Sequence, residues 1–261
     1  MDLGMSGRSY YVTGGSRGVG RAIVELLLAE GAWVATCARD ASTFNTIQDG
    51  LPRAVAQRLL VQQGDVRDQD RMASLVSAAA KALGGLDGIV ANAGSGASGG
   101  VLNSAPEQWD EQFALKIHSV LNLVRPSAMY LAQSESGRVV IINSVTARVP
   151  DPSMGAVSAA RAAVLHLGRL LAIELAPDVC VNVVNLGTIA TERQVSRHQE
   201  SGSDLSFDEW CLQEAQRRGV LLNRLGTAAE VAPVVALLLS PLASYVTGTS
   251  IDVAGGSGCY L

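Results

Sequence analysis

The chain has 261 residues, 48% apolar and 17% charged, with a formal net charge of −4 at pH 7, which suits one α/β unit with a large buried core. A pI of about 5.4 and the lack of any Lys/Arg cluster argue against a nucleic-acid surface. Mean hydropathy is +0.24, yet no uninterrupted apolar run reaches the roughly 18 residues of a membrane-spanning helix. Met1-Asp2-Leu3-Gly4 lacks the basic segment and apolar core of a signal peptide, so a cytoplasmic protein with no membrane partner is expected.

Taken in chain order, short apolar or β-branched runs alternate with amphipathic helical stretches. Ser9–Thr13 is predicted as a strand, 18–30 as a helix, and 32–37 as the next strand. Val19, Ala22, Ile23, Leu26 and Leu27 mark one buried helix face, and Gly31 is a natural stop. Further strands are expected at 58–62, 86–91, 137–143, 180–185 and 250–253, with helices near 68–83, 106–132, 153–175 and 228–240. Seven strands alternating with helices imply a doubly wound parallel sheet with helices on both faces, because parallel neighbours need crossover connections. No repeat or linker divides residues 1–261, so a single domain is expected. The polar stretch 191–226, with a helix around 206–218, breaks the alternation and is expected to form a lid over the strands' carboxyl ends. Cys37, Cys180, Cys211 and Cys259, like His118, His166 and His198, show no ligand spacing, and no metal site is expected.

The first strand runs into Thr13-Gly14-Gly15-Ser16-Arg17-Gly18-Val19-Gly20 and then a helix. Glycine there permits a tight turn and close backbone approach, and the helix-end N–H groups suit a pyrophosphate. The spacing Thr-Gly-x-x-x-Gly-x-Gly resembles the short-chain dehydrogenase/reductase family, a single-domain Rossmann-type fold. Asp65-Val66 resembles the family's adenine-contacting pair, and Asn92-Ala93-Gly94 its motif after the fourth strand. The segments 181–184 and 187–191, the latter including Ile189 and Thr191, resemble the loop over the nicotinamide, although Leu186 replaces its usual proline. The segments 245–248 and 252–256 resemble its last strand region. The resemblance implies a nicotinamide dinucleotide cofactor, a small-molecule substrate and a homo-oligomer, tetramer or dimer.

Members that prefer NAD place an acid at the end of strand two. Here that position is Ala38-Arg39, and Arg17 stands within the glycine turn. Guanidinium suits a 2′-phosphate, so NADP(H) is expected. The family's active site is an Asn, a Ser and a Tyr-x-x-x-Lys pair. Ser144 matches the serine, but the tyrosine position is Val157, the lysine position Arg161 and the asparagine position Lys116. No tyrosine lies between Tyr130 and Tyr245, so a register slip restores nothing. The chain is similar to an atypical ketoacyl-reductase-like subgroup that lacks the pair. Valine has no proton to give. Lys116 is expected to donate it, its ammonium lowered by Arg161, while Ser144 and Arg161 orient the substrate oxygen. The expected activity is reduction or oxidation of a carbonyl or conjugated enone. Two other readings stay open: a catalytically silent dinucleotide-binding sensor, and a non-redox lyase or isomerase.

Overall fold

The computed structural model describes residues 2–44, 47 and 50–258; Met1 and Cys259 lie outside them. Seven strands form one parallel sheet: β1 (Ser9–Thr13), β2 (Trp33–Ala38), β3 (Leu59–Gln63), β4 (Gly88–Ala91), β5 (Gly137–Ser144), β6 (Val179–Leu186) and β9 (Ser250–Val253). Their order is β3-β2-β1-β4-β5-β6-β9. A separate two-stranded parallel pair joins β7 (Ile189–Ala190) to β8 (Gly226–Thr227).

All five residues of β1 are buried, because helices cover both sheet faces. The two-residue pleat sends Tyr10 and Val12 to one side and Tyr11 to the other. Tyr10 and Val12 pack with Ile23 and Leu27 of α1 (Gly18–Ala29) and with Val231 and Val235 of α9 (Ala228–Leu239). Tyr11 joins Met72 and Val76 of α3 (Gln69–Leu83), Leu123 of α5 (Ser119–Gln133) and Val164 of α6 (Gly155–Glu174). A four-residue α2 (Arg53–Ala56) precedes β3. These are the expected fold class and strands, with ends displaced by one or two residues.

Two helical regions differ from expectation. The helix predicted over 106–132 is α4 (Pro106–Phe113), a π-helical turn at Ala114–His118, and then α5. The wider turn rotates the residues that follow relative to a continuous α-helix, and such turns recur at functional sites. Stretch 191–226 holds two helices rather than one, α7 (Glu192–Ser201) and α8 (Phe207–Arg217). Helix α7 escapes periodicity because Val195 is its only apolar residue. Helix α6 is long and apolar enough by composition to cross a membrane, and half of that window is buried inside the fold, against β5 and β6.

The chain reverses its winding direction between β1 and β4. In open α/β sheets, ligands bind outside the strands' carboxyl ends at such a switch point. The glycine turn, residues 92–94, Ser144 and the α7–α8 segment all follow strands at that edge.

Candidate active site

The glycine turn is shaped by what stands behind it. Gly14 has φ +70°, which L side chains rarely adopt, and its N–H donates to the Cys37 carbonyl at 2.9 Å. A Cβ on Gly20 would lie 2.2 Å from the Gly14 oxygen and 2.4 Å from Asn92 Nδ2. Gly20 thus seats helix on turn. Gly15 is equally constrained, since a Cβ there would lie 2.3 Å from Thr36 Oγ1; nothing in the spacing motif singled it out. Helix α1 opens with no side-chain cap and no acid in its first turn, so its leading N–H groups can receive an anion. Ser16 and Val19 are half-buried in this turn.

Asn92 secures the turn from β4. Its Nδ2 donates to the Thr13 and Gly14 carbonyls at 2.9 and 3.2 Å, and its N–H to Thr13 Oγ1 at 3.0 Å. Ala93 N–H shares Thr13 Oγ1 at 3.1 Å. Arg17 and Arg39 are exposed and neither forms an ion pair among the described residues. Asp65 pairs with Arg67 at 2.6 Å, and that bond holds its carboxyl below the usual range. Val66 is buried, and its carbonyl accepts from Asn122 Nδ2 at 3.0 Å. Ile189 is buried in the β7–β8 pair, and Thr191 Cγ2 comes within 3.4 Å of where a Gly18 Cβ would stand. The 191–226 segment therefore begins against the turn.

The structure joins two of the three substituted positions. Lys116, in the π turn, and Arg161, on α6, line one cavity of about 10 Å³ together with Thr13, Ala93 and Ile142. That volume is at the lower limit for a single water. Lys116 is 3% exposed. Its Nζ donates to Gln112 Oε1 at 3.0 Å and to the Ser95 carbonyl. Burial, then the nearby Arg161 and Arg193 charges, lowers this ammonium to about 7. Arg161 Nη1 donates to the Ile142 carbonyl at 2.9 Å, while its Nε is buried with no partner. Burial, then Arg193, lowers Arg161 to about 10, so it stays charged at neutral pH. Asn143 braces this helix, with Nδ2 donating to the Arg161 carbonyl at 3.2 Å and to Asn185 Oδ1 at 3.1 Å.

Val157 and Ser144 do not line that cavity. Val157 is buried. Ser144 Oγ accepts from Thr146 N–H at 3.3 Å and from Thr146 Oγ1 at 3.1 Å. Ser158, one residue past the tyrosine position, accepts from Asp151 N–H at 3.2 Å and so ties α6 to the preceding loop. Gly94 stands beside Arg161, 3.7 Å from Nη2 to its Cβ position.

A family model described as enoyl-(acyl carrier protein) reductase matches residues 14–257. The chain is 34% identical over 258 residues to an isoepoxydon dehydrogenase of Aspergillus clavatus, covering 97% of this chain and 95% of that one. The chain belongs to the short-chain dehydrogenase/reductase family. Among solved structures of these oxidoreductases, it is similar to a short chain oxidoreductase of Pseudomonas aeruginosa PAO1 described as containing an atypical catalytic center. The apo form has 35% identity, full coverage of both chains and a TM-score of 0.91. The NADPH-bound form covers 97% and 98% at a TM-score of 0.90. The L-sorbose reductase of Gluconobacter frateurii, complexed with NADPH and L-sorbose, is 26% identical over the full length of both chains at a TM-score of 0.94.

The 191–226 segment contributes a residue that sequence reading missed. Arg193 of α7 donates from Nη2 to the Gly96 carbonyl at 3.2 Å, and burial together with Arg197 and Arg218 lowers it. The segment is pinned by Glu214 of α8, which bonds Arg217 at 2.8 Å and Arg218 at 3.1 Å and pairs with Arg197 of α7 at 3.6 Å. Arg218 also reaches Asp151 at 3.7 Å, before α6. Trp210 stacks on Phe207 at 6.2 Å and lies beside His198 and Arg197. No metal-ligating cluster is present among the described residues.

Proposed function

We propose that this chain is an NADP(H)-dependent reductase of a carbonyl or conjugated enone, with Lys116 in place of the family's tyrosine as proton donor. The observation that carries the reading is the shared cavity of Lys116 and Arg161 beside the open glycine turn. The residues at the turn fit the dinucleotide: Gly14, Gly18 and Gly20 leave the backbone bare, and α1 offers uncapped N–H groups. Ser16 and Val19 border that cradle, while Asp65, Val66, Asn92, Ala93 and Gly94 continue it along the strand ends. Arg17 and Arg39 would hold the 2′-phosphate, as two exposed cations without an ion-pair partner among the described residues. Ile189 and Thr191 would border the nicotinamide end, under a lid formed by residues 191–226. When bound, NADPH supplies the hydride.

The chain's own residues provide the rest. A protonated Lys116 has three N–H groups, of which Gln112 and Ser95 take two. The third is free to give its proton to the substrate oxygen, and solvent then reprotonates the amine. Arg161 stays charged and stabilises the developing oxyanion, while Ser144, at the end of β5 outside that cavity, would orient the substrate as it enters. Exposed Met129 on α5 and Leu170 and Ile173 on α6 support a homo-oligomer, tetramer or dimer.

The engagement of Lys116 with Gln112 and Ser95 also favours a second reading, a catalytically silent dinucleotide-binding protein. One experiment separates the two: NADPH with ketones, ketoacyl thioesters and enones, for the wild type and a Val157→Tyr/Arg161→Lys double variant. Wild-type turnover supports the reductase. NADPH binding with turnover only in the double variant supports the silent protein.

A further inference from the structure

Three cations from three elements converge on three successive residues of the loop after β4. Arg161 of α6 stands with Nη2 3.7 Å from the Gly94 Cβ position. Lys116 of the π turn holds the Ser95 carbonyl, and Arg193 of α7 the Gly96 carbonyl. The row runs from a buried floor, Lys116, to an exposed mouth, Arg193. Met154 Cε lies beside Arg193 there, 3.1 Å from the Gly96 Cβ position.

This row has no counter-charge of its own. None of the three pairs with a carboxylate among the described residues, and the nearby acids are engaged elsewhere. Glu111, whose charge acts on Lys116 less than burial and the two arginines do, lies 3.9 Å from Arg67. Asp151 is held by Arg218, and Glu214 by Arg197, Arg217 and Arg218. Glu192, beside Arg193, has its carboxylate near Gly18, at the turn. Each cation is lowered by burial and by other cations. Lys116 and the Arg161 Nε carry the cost of a buried cationic group without a carboxylate partner, and Arg193, exposed at the mouth, is the cation free to meet an anion from solvent. The dinucleotide's phosphates belong at the uncapped start of α1 and at Arg17 and Arg39, on the β1–β2 side.

We propose that the substrate is anionic: a short oxo- or enoyl compound whose carboxylate or phosphate is gripped by Arg193 at the mouth, with its reacting oxygen facing Arg161 and Lys116. The proposal rests on the reductase reading for the reacting oxygen, but the anion grip can be measured without turnover. Arg193 is a specificity-determining residue in this arrangement. A planar guanidinium can hold either oxyanion through two N–H groups.

The test uses the full chain saturated with NADPH and four probes: 3-oxobutanoate, its methyl ester, its N-acetylcysteamine thioester, and 2-oxopropylphosphonate. Binding is read from bound-NADPH fluorescence and turnover from NADPH oxidation, for wild type, Arg193→Gln and Arg193→Lys. The acid or the phosphonate should bind at least ~10-fold tighter than the neutral probes, with affinity weakened by salt. The stronger of the two anions identifies the group. Arg193→Gln should remove that preference and Arg193→Lys restore part of it, with NADPH affinity and the neutral probes unchanged. Equal binding of charged and neutral probes overturns the proposal, as does equal loss for both in Arg193→Gln, or no anion binding at all. Arg193-dependent anion binding without NADPH oxidation by any probe leaves the grip standing and removes the reductase reading. Turnover of neutral probes alone does the reverse.

Discussion

Replacing Lys116 by methionine tests the proton-donor assignment through two independent readouts. The ammonium is lowered from its ordinary 10.5 to about 7, which corresponds to about 5 kcal/mol of cost for the charged form as an upper bound. For the wild type, the protonated and competent fraction should fall from about nine-tenths at pH 6 to about one-tenth at pH 8. Turnover in the reductive direction should therefore drop about tenfold per pH unit above 7. An unperturbed lysine would give a flat profile to pH 9. Lys116→Met should lower kcat by about 10²–10⁴ and abolish this limb. The stability effect has the opposite sign. Between pH 7 and 10.5 the unfolded chain binds a proton that the folded chain has released, so wild-type stability rises with pH across that window. Below it the full penalty applies. Methionine removes the penalty but leaves the Gln112 and Ser95 oxygens without their donor, at roughly 1–3 kcal/mol. A net gain of about 2 kcal/mol, or about 4–8 °C in Tm, is expected at pH 6, shrinking toward pH 10. A flat pH–rate profile for the wild type, or full turnover by Lys116→Met, would refute the assignment. An unchanged or lower Tm at pH 6 would refute the burial argument behind it.

Gly20→Ala should abolish dinucleotide binding and lower Tm by several degrees, since its Cβ would lie 2.2 Å from the Gly14 oxygen; fluorescence titration and thermal denaturation check both. Arg39→Ser should weaken NADPH by about 10-fold or more while leaving NADH nearly unchanged, because only the 2′-phosphate loses a charged partner; paired titrations decide it, and equal losses would sink the NADP(H) assignment. Glu214→Gln should destabilise the fold by about 1–3 kcal/mol, through the arginines left unpaired around it. The bond from Arg217, joined by that from Arg218, outweighs the upward push of burial and holds this carboxyl at about 2. Its stabilisation is therefore present above pH 4.5 and lost as pH falls toward 2, and the variant's denaturation midpoint should change less across that range.

The architecture was legible because local rules specify it. The short apolar runs in 9–13 and 137–144 mark strands buried on both faces, and the three-to-four spacing in 18–29 marks one buried helix face, each without reference to the rest of the chain. The glycine turn was legible for the same reason, and the expectation of Val157 and Arg161 at the tyrosine and lysine positions needed only a register. Asn92 shows where that ends. Its motif pointed to the cofactor end of β4, and only the structure shows that its Nδ2 bonds the Thr13 and Gly14 carbonyls of the turn. Ser144 kept its place in the register, yet its hydroxyl bonds Thr146 and lies off the cavity of Lys116 and Arg161.

What the residues determined alone was therefore a dinucleotide-binding family fold, with Val157 and Arg161 expected where the family carries its proton-donating pair. Only tertiary structure decided the chemistry of what stands there now. A lysine's charge state depends on the water it loses and on charges nearby, and Lys116 meets Arg161 and Arg193 from helices far apart in the chain. Arg193 could not be found from pattern, because α7 is held by ion pairs and aromatic contacts with α8 rather than by an apolar stripe. Desolvation and charge add through space, so the row of cations along Gly94, Ser95 and Gly96 exists only once the sheet has brought three helices to one edge.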